Sequence, residues 1–372
     1  MSKRRKPGRQ AHRDPGLGRV VFDDLRRTRF QRDYLREIKD LYYFYLDEDT
    51  RTRLADMGRF KRSFWLLGWL LKSMVTKLSP ARRILLLIAF ILTFFVGESS
   101  FSFRDWAISA DLRPWGWLLL FLILMLELKD KLVAKDEIQI ARQVQIALLP
   151  RDNPDIPGWS VWCYSRPAND VGGDLVDYIE LDGFRHGVVL GDVAGKGLGA
   201  ALLSAKLQAT LRALVPDAVA LDDLAVRVNT IFHRDGLDNR YATLFYVELE
   251  YNSGMLRYIN AGHNPAFLIR AGGVEKLGAS SLPLGMLPTA AHEERSLDLS
   301  SGELLLAYSD GLTEAQNPRG EEFGIERLEA LLPEFRDLPP ENIGARILKE
   351  VDRFLGDARP GDDLSLVVII RQ

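Results

Sequence analysis

One cysteine and five histidines in 372 residues leave little soft metal-binding chemistry. The lone thiol, Cys163, excludes internal disulfides and cysteine-rich zinc sites and fits a reducing compartment. Set between Trp162 and Tyr164, it reads as a packed strand residue rather than a reactive one. No apolar stretch begins early enough for a cleaved signal peptide. A nucleotide phosphate loop is missing as well. Only three residues separate Gly191 from Gly195, where four are needed, and Gly197 follows Lys196 where Ser or Thr is required.

Acidic residues are scarce at one end. Residues 1–83 hold 22 Lys and Arg against 10 Asp and Glu, so with a net charge of −2 overall the remainder carries −14. A basic end suggests anionic lipid, and an acidic body suggests metal or regulated partners. Residues 1–19 have almost nothing to bury and read as a disordered basic arm. No aromatic or motif context there supports nucleic-acid binding, and an acidic body disfavours a nuclease acting on polyanions.

Residues 20–80 form a basic, helical juxtamembrane region. It holds the aromatic run Leu41–Tyr45 and a stretch from Phe64 to Leu71 with Trp65 and Trp69, beside Lys72 and Lys77. A helix lying on a membrane surface and a small soluble bundle fit this pattern equally. Two dense apolar runs follow, Ile84–Val96 and Trp115–Leu126. Each is shorter than the roughly 20 residues that span a bilayer. Extended through Phe103 and back through Ile108, they give two transmembrane helices at about 84–103 and 108–128. Arg82, Arg83, Lys129 and Lys131 flank the outer ends, and Trp106, Trp115 and Trp117 cluster at the opposite interface. That pattern predicts a multi-pass membrane protein with two spans and both chain ends cytoplasmic. Residues 98–113 are too few for a sensory domain. Residues 129–150 continue as a linker helix in which Ile138, Ala141, Gln145 and Leu148 make a weak heptad with a polar insertion. A homodimer through this helix, or a passive connector, are both open. Pro150 ends it.

From 151 to 372 strands and helices alternate. The centre is Pro167–Lys196, where Asp182-Gly183 is a strong signal for a two-residue hairpin turn. In that register Asp174 faces Gly191; with a one-residue bulge it stands opposite Asp192. Either way two carboxylates lie about 5–8 Å apart at the open end of one hairpin. Like charges so placed are destabilising unless a cation sits between them. Further strands at Tyr241–Tyr251, Met255–Ala261, Ala266–Arg270, Gly273–Leu277, Leu304–Ser309 and Leu364–Arg371 are interrupted by helices in pairs. This favours an α+β layered sandwich over a parallel βαβ sheet. Asp310 ends one of these strands, and Asp362 and Asp363 precede the last. Carboxylates from separated stretches suit hard cations, Mg²⁺ or Mn²⁺.

Residues 141–371 resemble a known family: the stage-II-sporulation-E and stress-response-regulator branch of the metal-dependent type 2C protein serine/threonine phosphatases. The matching motifs are Ala147-Leu148-Leu149-Pro150, VGGD at 171–174, GDVAGKG at 191–197, NAGHNP at 260–265, PLG at 283–285, SDGLTEA at 309–315 and DDLS at 362–365. The resemblance implies an α-β-β-α sandwich with two Mn²⁺ or Mg²⁺ ions at one edge. Asp174, Asp192, the Val193 carbonyl, Asp310 and Asp362 would hold them, with Asp363 a further candidate. It implies hydrolysis of phosphoserine or phosphothreonine by metal-activated water, without a covalent enzyme intermediate. By the same analogy the substrate is a phosphorylated anti-sigma-factor antagonist, a STAS-domain protein in a partner-switching pathway. Leu175-Val176 departs from an aromatic pair common after VGGD, and Ala194 from a common Ser. His263 reads as a turn or supporting residue, with general-acid work the sharper alternative. A catalytically inactive membrane-tethered scaffold is the other reading of the whole chain, but it would be marked by a lost ligand aspartate.

Overall fold

The computed structural model describes residues 58–96, 98–103, 106–150, 153–236 and 240–372; the expected basic arm and the Leu41–Tyr45 run lie outside them. Two compact units divide at Asp130 and Lys131.

In the first unit, helix α1 (Arg59–Lys77) carries Trp65 and Trp69 with ring centroids 5.7 Å apart. Helix α2 (Pro80–Phe94) starts at Ser79, whose hydroxyl accepts the Arg82 N–H, with Pro80 at the first helical position. α2 stops well short of the expected span. Strands β1 (Glu98–Phe103) and β2 (Trp106–Asp111) follow instead as an antiparallel hairpin. The reason is legible afterwards: Ser100-Phe101-Ser102-Phe103 alternates with period two, which suits a strand and no helix. Helix α3 (Arg113–Leu148) is then one continuous element of 36 residues. A Cβ on Gly116 of α3 would lie 2.2 Å from Thr93 Oγ1 of α2, so only glycine lets the two backbones come this close. Arg82 of α2 reaches Glu127 and Asp130 of α3, each at 2.6 Å. Ile84, Leu87, Phe90, Phe94, Trp117, Phe121 and Leu124 stay exposed. Among the described residues the one segment long and apolar enough by composition to cross a membrane is Leu198–Asp217, and that belongs to the second unit's core.

The second unit holds two five-stranded antiparallel sheets, in the orders β10-β7-β6-β5-β4 and β3-β12-β11-β8-β9. The strands are β3 (Trp159–Arg166), β4 (Leu175–Asp182), β5 (Arg185–Val193), β6 (Ala242–Glu250), β7 (Met255–Ala261), β8 (Ala266–Arg270), β9 (Gly273–Leu277), β10 (Arg295–Asp298), β11 (Leu304–Tyr308) and β12 (Leu364–Arg371). Three apolar layers show how they stack. Alternate residues of β5 and β6, such as Val189, Leu244 and Tyr246, face helices α4 (Leu198–Leu214) and α5 (Leu221–Asp235). Their neighbours Val188, Leu190, Phe245 and Val247 turn inward against Val161, Leu305, Val367 and Ile369 of the other sheet. The far face of that sheet packs on α7 (Ile325–Leu331) and α8 (Pro340–Leu355), after the single turn α6 (Asp310–Thr313). This is the expected α-β-β-α sandwich. β10 and α6 were not legible in the sequence, being four residues each.

The central hairpin differs from expectation by one residue. Gly183 and Phe184 make the turn, and Asp182 pairs with Arg185. Asp182 Oδ1 accepts the Phe184 N–H at 2.9 Å and Oδ2 accepts from Arg185 Nε at 3.0 Å. The side chain therefore builds the turn, and Gly183 needs no positive φ. The ladder slips between Glu180 and Asp182, then runs in register to Leu175–Gly191. One step further along the same register, Asp174 stands opposite Asp192, which is the bulged alternative.

Leu207, fully buried between α4 and the sheet, and Leu202, exposed on the same helix, make a matched pair. Leu207→Ala is expected to cost about 2–5 kcal/mol. Leu202→Ala should stay within about 0.5 kcal/mol of wild type. Denaturant unfolding followed by far-UV circular dichroism measures both.

Candidate metal centre

Each sheet delivers part of one edge. From the first sheet, Asp192 is the penultimate residue of β5, paired with Thr243 of β6, and Asp174 immediately precedes β4. From the second come Asp310, the first residue of α6 directly after β11, and Asp362 and Asp363, just before β12. A serine clamp brings these last three together. Ser309 N–H donates to the Ser365 carbonyl at 3.0 Å, and Ser365 N–H donates to Ser309 Oγ at 2.8 Å. Ser309 Oγ in turn donates to the Asp363 carbonyl at 3.1 Å. Gly311 completes the approach: a Cβ there would fall 2.1 Å from the Asp363 carbonyl oxygen.

The electrostatics follow from crowding like charges away from water. Burial, then the Asp192 carboxylate, hold Asp174 well above the usual carboxylate range, partly offset by the Ser365 and Ser309 hydroxyls. Burial, then the charges of Asp310, Asp362 and Asp363, push Asp192 up to about 7. Burial, then Glu314 and Asp362, raise Asp310 to about 6. Four aspartates from separate elements thus feel one another at one edge. Among the described residues, however, no three His, Cys, Asp or Glu side chains stand together as a ready-made cation cage.

The donor set still fits a hard cation. It is all oxygen, and Asp174 Oδ2 is buried without a hydrogen-bond partner, an unfavourable state that a cation relieves. Asp363 is a different case from the other four. Its Oδ1 accepts Ala168 N–H at 2.7 Å and its Oδ2 accepts Gly173 N–H at 2.6 Å. Both oxygens are occupied by the backbone of the segment that leads to Asp174, so Asp363 acts as a loop clasp.

Sequence reasoning missed two cations here. Lys196 Nζ lies 2.9 Å from Asp362 Oδ2 and donates to the Gly361 carbonyl at 2.7 Å, and its hydrogen bond to Asp362 raises its pKa. Arg240 donates to the Ala194 carbonyl. The flanking glycines of Lys196 were the available signal; Arg240 had none. His263 is buried, with Nδ1 2.8 Å from Thr243 Oγ1, and burial pushes its pKa down to about 4. It is neutral near pH 7, which suits a supporting residue and not a proton donor. Burial likewise pushes the Cys163 thiol up to about 12, as a packed strand residue requires.

Residues 182–372 match the family described as Stage II sporulation protein E (SpoIIE). The chain is similar to protein IcfG of Synechocystis sp., 29% identical over 273 residues, covering 66% of this chain and 43% of that one. It is 25% identical over 242 residues to phosphoserine phosphatase RsbU of Bacillus subtilis, covering 64% and 71% respectively. Among solved structures, the RsbU and RsbW domains of Rv1364c from Mycobacterium tuberculosis superpose with a TM-score of 0.52 at 26% identity, covering 59% of this chain and 61% of that one. The chain therefore spans less than half the length of IcfG.

Because Asp192 and Asp310 are raised to about 7 and 6 in the folded state, they stabilise the fold while protonated. That contribution is complete below about pH 4, the ordinary carboxylate range, and is lost as pH rises through their folded values. In EDTA, Asp192→Asn should therefore melt at or above wild type, with the gap opening as pH rises from about 4 to about 7, to roughly 5 °C. Thermal melts across that range measure it, and a mutant that melts lower throughout would show Asp192 to be structural.

Proposed function

We propose, on the premise that this chain belongs to the Stage II sporulation protein E (SpoIIE) family, that it is a metal-dependent protein serine/threonine phosphatase. The observation that carries the reading is the convergence of Asp174, Asp192, Asp310 and Asp362 from both sheets on one edge, where Asp174 Oδ2 has no protein partner. Asp174, Asp192, the Val193 carbonyl, Asp310 and Asp362 would hold two Mn²⁺ or Mg²⁺ ions. When bound, such ions supply Lewis acidity, polarising a phosphoryl group and lowering the pKa of water. The name of RsbU, phosphoserine phosphatase, supports phosphoserine as the substrate class.

The chain's own residues set the conditions. Asp192 and Asp310 must lose their protons to take up a cation, so cation binding and activity rise with pH through about 6 to 7. The Ser309–Ser365 clamp and the Asp363 clasp hold carboxylates that would otherwise spread apart. Lys196 keeps a positive charge at the rim, where a phosphoryl group approaches a strongly negative edge. His263, buried with Nδ1 on Thr243 Oγ1 and its pKa pushed down by burial, is poorly suited to donate a proton near pH 7.

The protein substrate extends from the family resemblance: a cytoplasmic, phosphorylated regulatory protein, of which a STAS-domain anti-sigma-factor antagonist is the candidate. The exposed apolar faces of α2 and α3 support a membrane-anchored hairpin with basic flanks inside, at the inner membrane of a bacterial cell. Leu132, Val133, Ile140 and Val144 are exposed on the linker part of α3 and support a homodimer through it.

Dephosphorylation of a phosphoserine peptide by the full chain is expected to need Mn²⁺ or Mg²⁺ and to stop on chelation. Activity that persists in EDTA would sink the reading. For topology, a reporter after Gln372 should read cytoplasm and one at Ser109 the far side; cytoplasm at both positions would remove the two-span anchor.

A further inference from the structure

Gln145 is the polar residue that interrupts the apolar row Ile138, Ala141, Leu148 near the end of α3. Its carboxamide is engaged at both ends by a single residue of another segment. Nε2 donates to the Gly172 carbonyl at 2.7 Å, and Oε1 accepts the Gly172 N–H at 3.1 Å. That is how a neighbouring strand satisfies a peptide, yet no strand lies there. Residues 167–174 between β3 and β4 have no regular structure. A buried backbone without a ladder needs side-chain partners. Asp363 accepts from Ala168 and Gly173, and Gln145 makes two more bonds at Gly172. Gly172 lies two residues before Asp174, so these two side chains fix where the Asp174 carboxylate emerges.

The helix end is itself anchored. Gln208 Nε2 of α4 donates to the Leu148 carbonyl at 2.9 Å, one turn beyond Gln145. Arg142, one turn before it, lies 3.7 Å from Asp170 in the same segment, a weak surface pair.

We propose that Gln145 is a positioning residue for Asp174, so that the cation affinity of the edge depends on the last turn of α3 being wound and seated. This rests on the metal-dependent reading above. Mn²⁺ alone is the probe, added to the full chain in detergent micelles, with thermal stabilisation as the readout. Gln145→Ala should raise the Mn²⁺ concentration for half-maximal stabilisation by about tenfold, the usual effect of removing a partner that orients a ligand. The melting temperature in EDTA should fall by only a few degrees, as Gly172 loses its partners while the chain stays folded. Gln145→Glu keeps an acceptor for the Gly172 N–H but sets a carboxylate against the Gly172 carbonyl, and should bind Mn²⁺ at least as weakly as the alanine variant. Gln208→Ala loosens the helix end without touching the segment, and should lower the EDTA melt more than it shifts the Mn²⁺ midpoint.

An unchanged Mn²⁺ midpoint in Gln145→Ala or Gln145→Glu overturns the proposal. So does a Gln145→Ala chain that is unfolded in EDTA, since the residue is then structural. A wild-type chain indifferent to Mn²⁺ overturns this proposal and the metal reading together, whereas a responsive wild type with indifferent variants overturns this one alone.

Discussion

Carboxylates held close together and away from water repel, and nothing in a protein brings them together without an opposing force. In this chain the opposing force is the sandwich. β5 and β12 are both interior strands of their sheets, each bonded on two sides, so neither can shift to let Asp192 and the Asp362–Asp363 pair drift apart. The cost appears as protons retained on Asp174, Asp192 and Asp310 far above the usual range. A divalent cation would relieve the same repulsion, but only by displacing those protons, so its hold on the edge would weaken as pH falls.

Small polar residues translate strand geometry into site geometry. Ser309 and Ser365 lock the ends of β11 and β12 together, and Asp363 reaches across to the segment before β4. Asp363 is instructive because its charge belongs to the repelling group while its oxygens do the work of a missing strand. Burial raises its pKa, and the amides of Ala168 and Gly173 pull it back. The same residue type at neighbouring positions is thus held in two ways: Asp362 meets the Lys196 ammonium and the Asp363 N–H, while Asp363 satisfies the backbone of Ala168 and Gly173.

Much of this was legible in the sequence, for identifiable reasons. Strands such as Ala266–Arg270, Gly273–Leu277 and Leu364–Arg371 appear at the residues expected, because runs of β-branched and aromatic residues between turn dipeptides leave few alternatives. The aspartates were visible as strand-end residues, and the hairpin left two registers open, of which the bulged one is observed. The turn itself was misplaced by one because Asp182 acts through its side chain, which a dipeptide signal does not register. The apolar runs were drawn too long because hydrophobicity alone hid the two-residue alternation from Ser100 to Phe103. Gln145 was visible only as an interruption. Its partner lies 27 residues away on a segment with no periodicity, so nothing local identifies what it holds.

The order of β12 in its sheet has a consequence for biosynthesis. This strand lies between β3 and β11 and is bonded to both, yet it is made some 200 residues after β3. While the chain is still emerging from the ribosome, the β4–β7 sheet and its helices can close, but β3 and β11 have no shared neighbour to join them. The acidic edge is therefore complete only when Leu364–Arg371 has paired with both neighbours. A chain stopped before this strand carries Asp174, Asp192 and Asp310 without the pairing that holds Asp362 and Asp363 beside them, so any activity resting on that edge is confined to molecules whose synthesis has passed this strand.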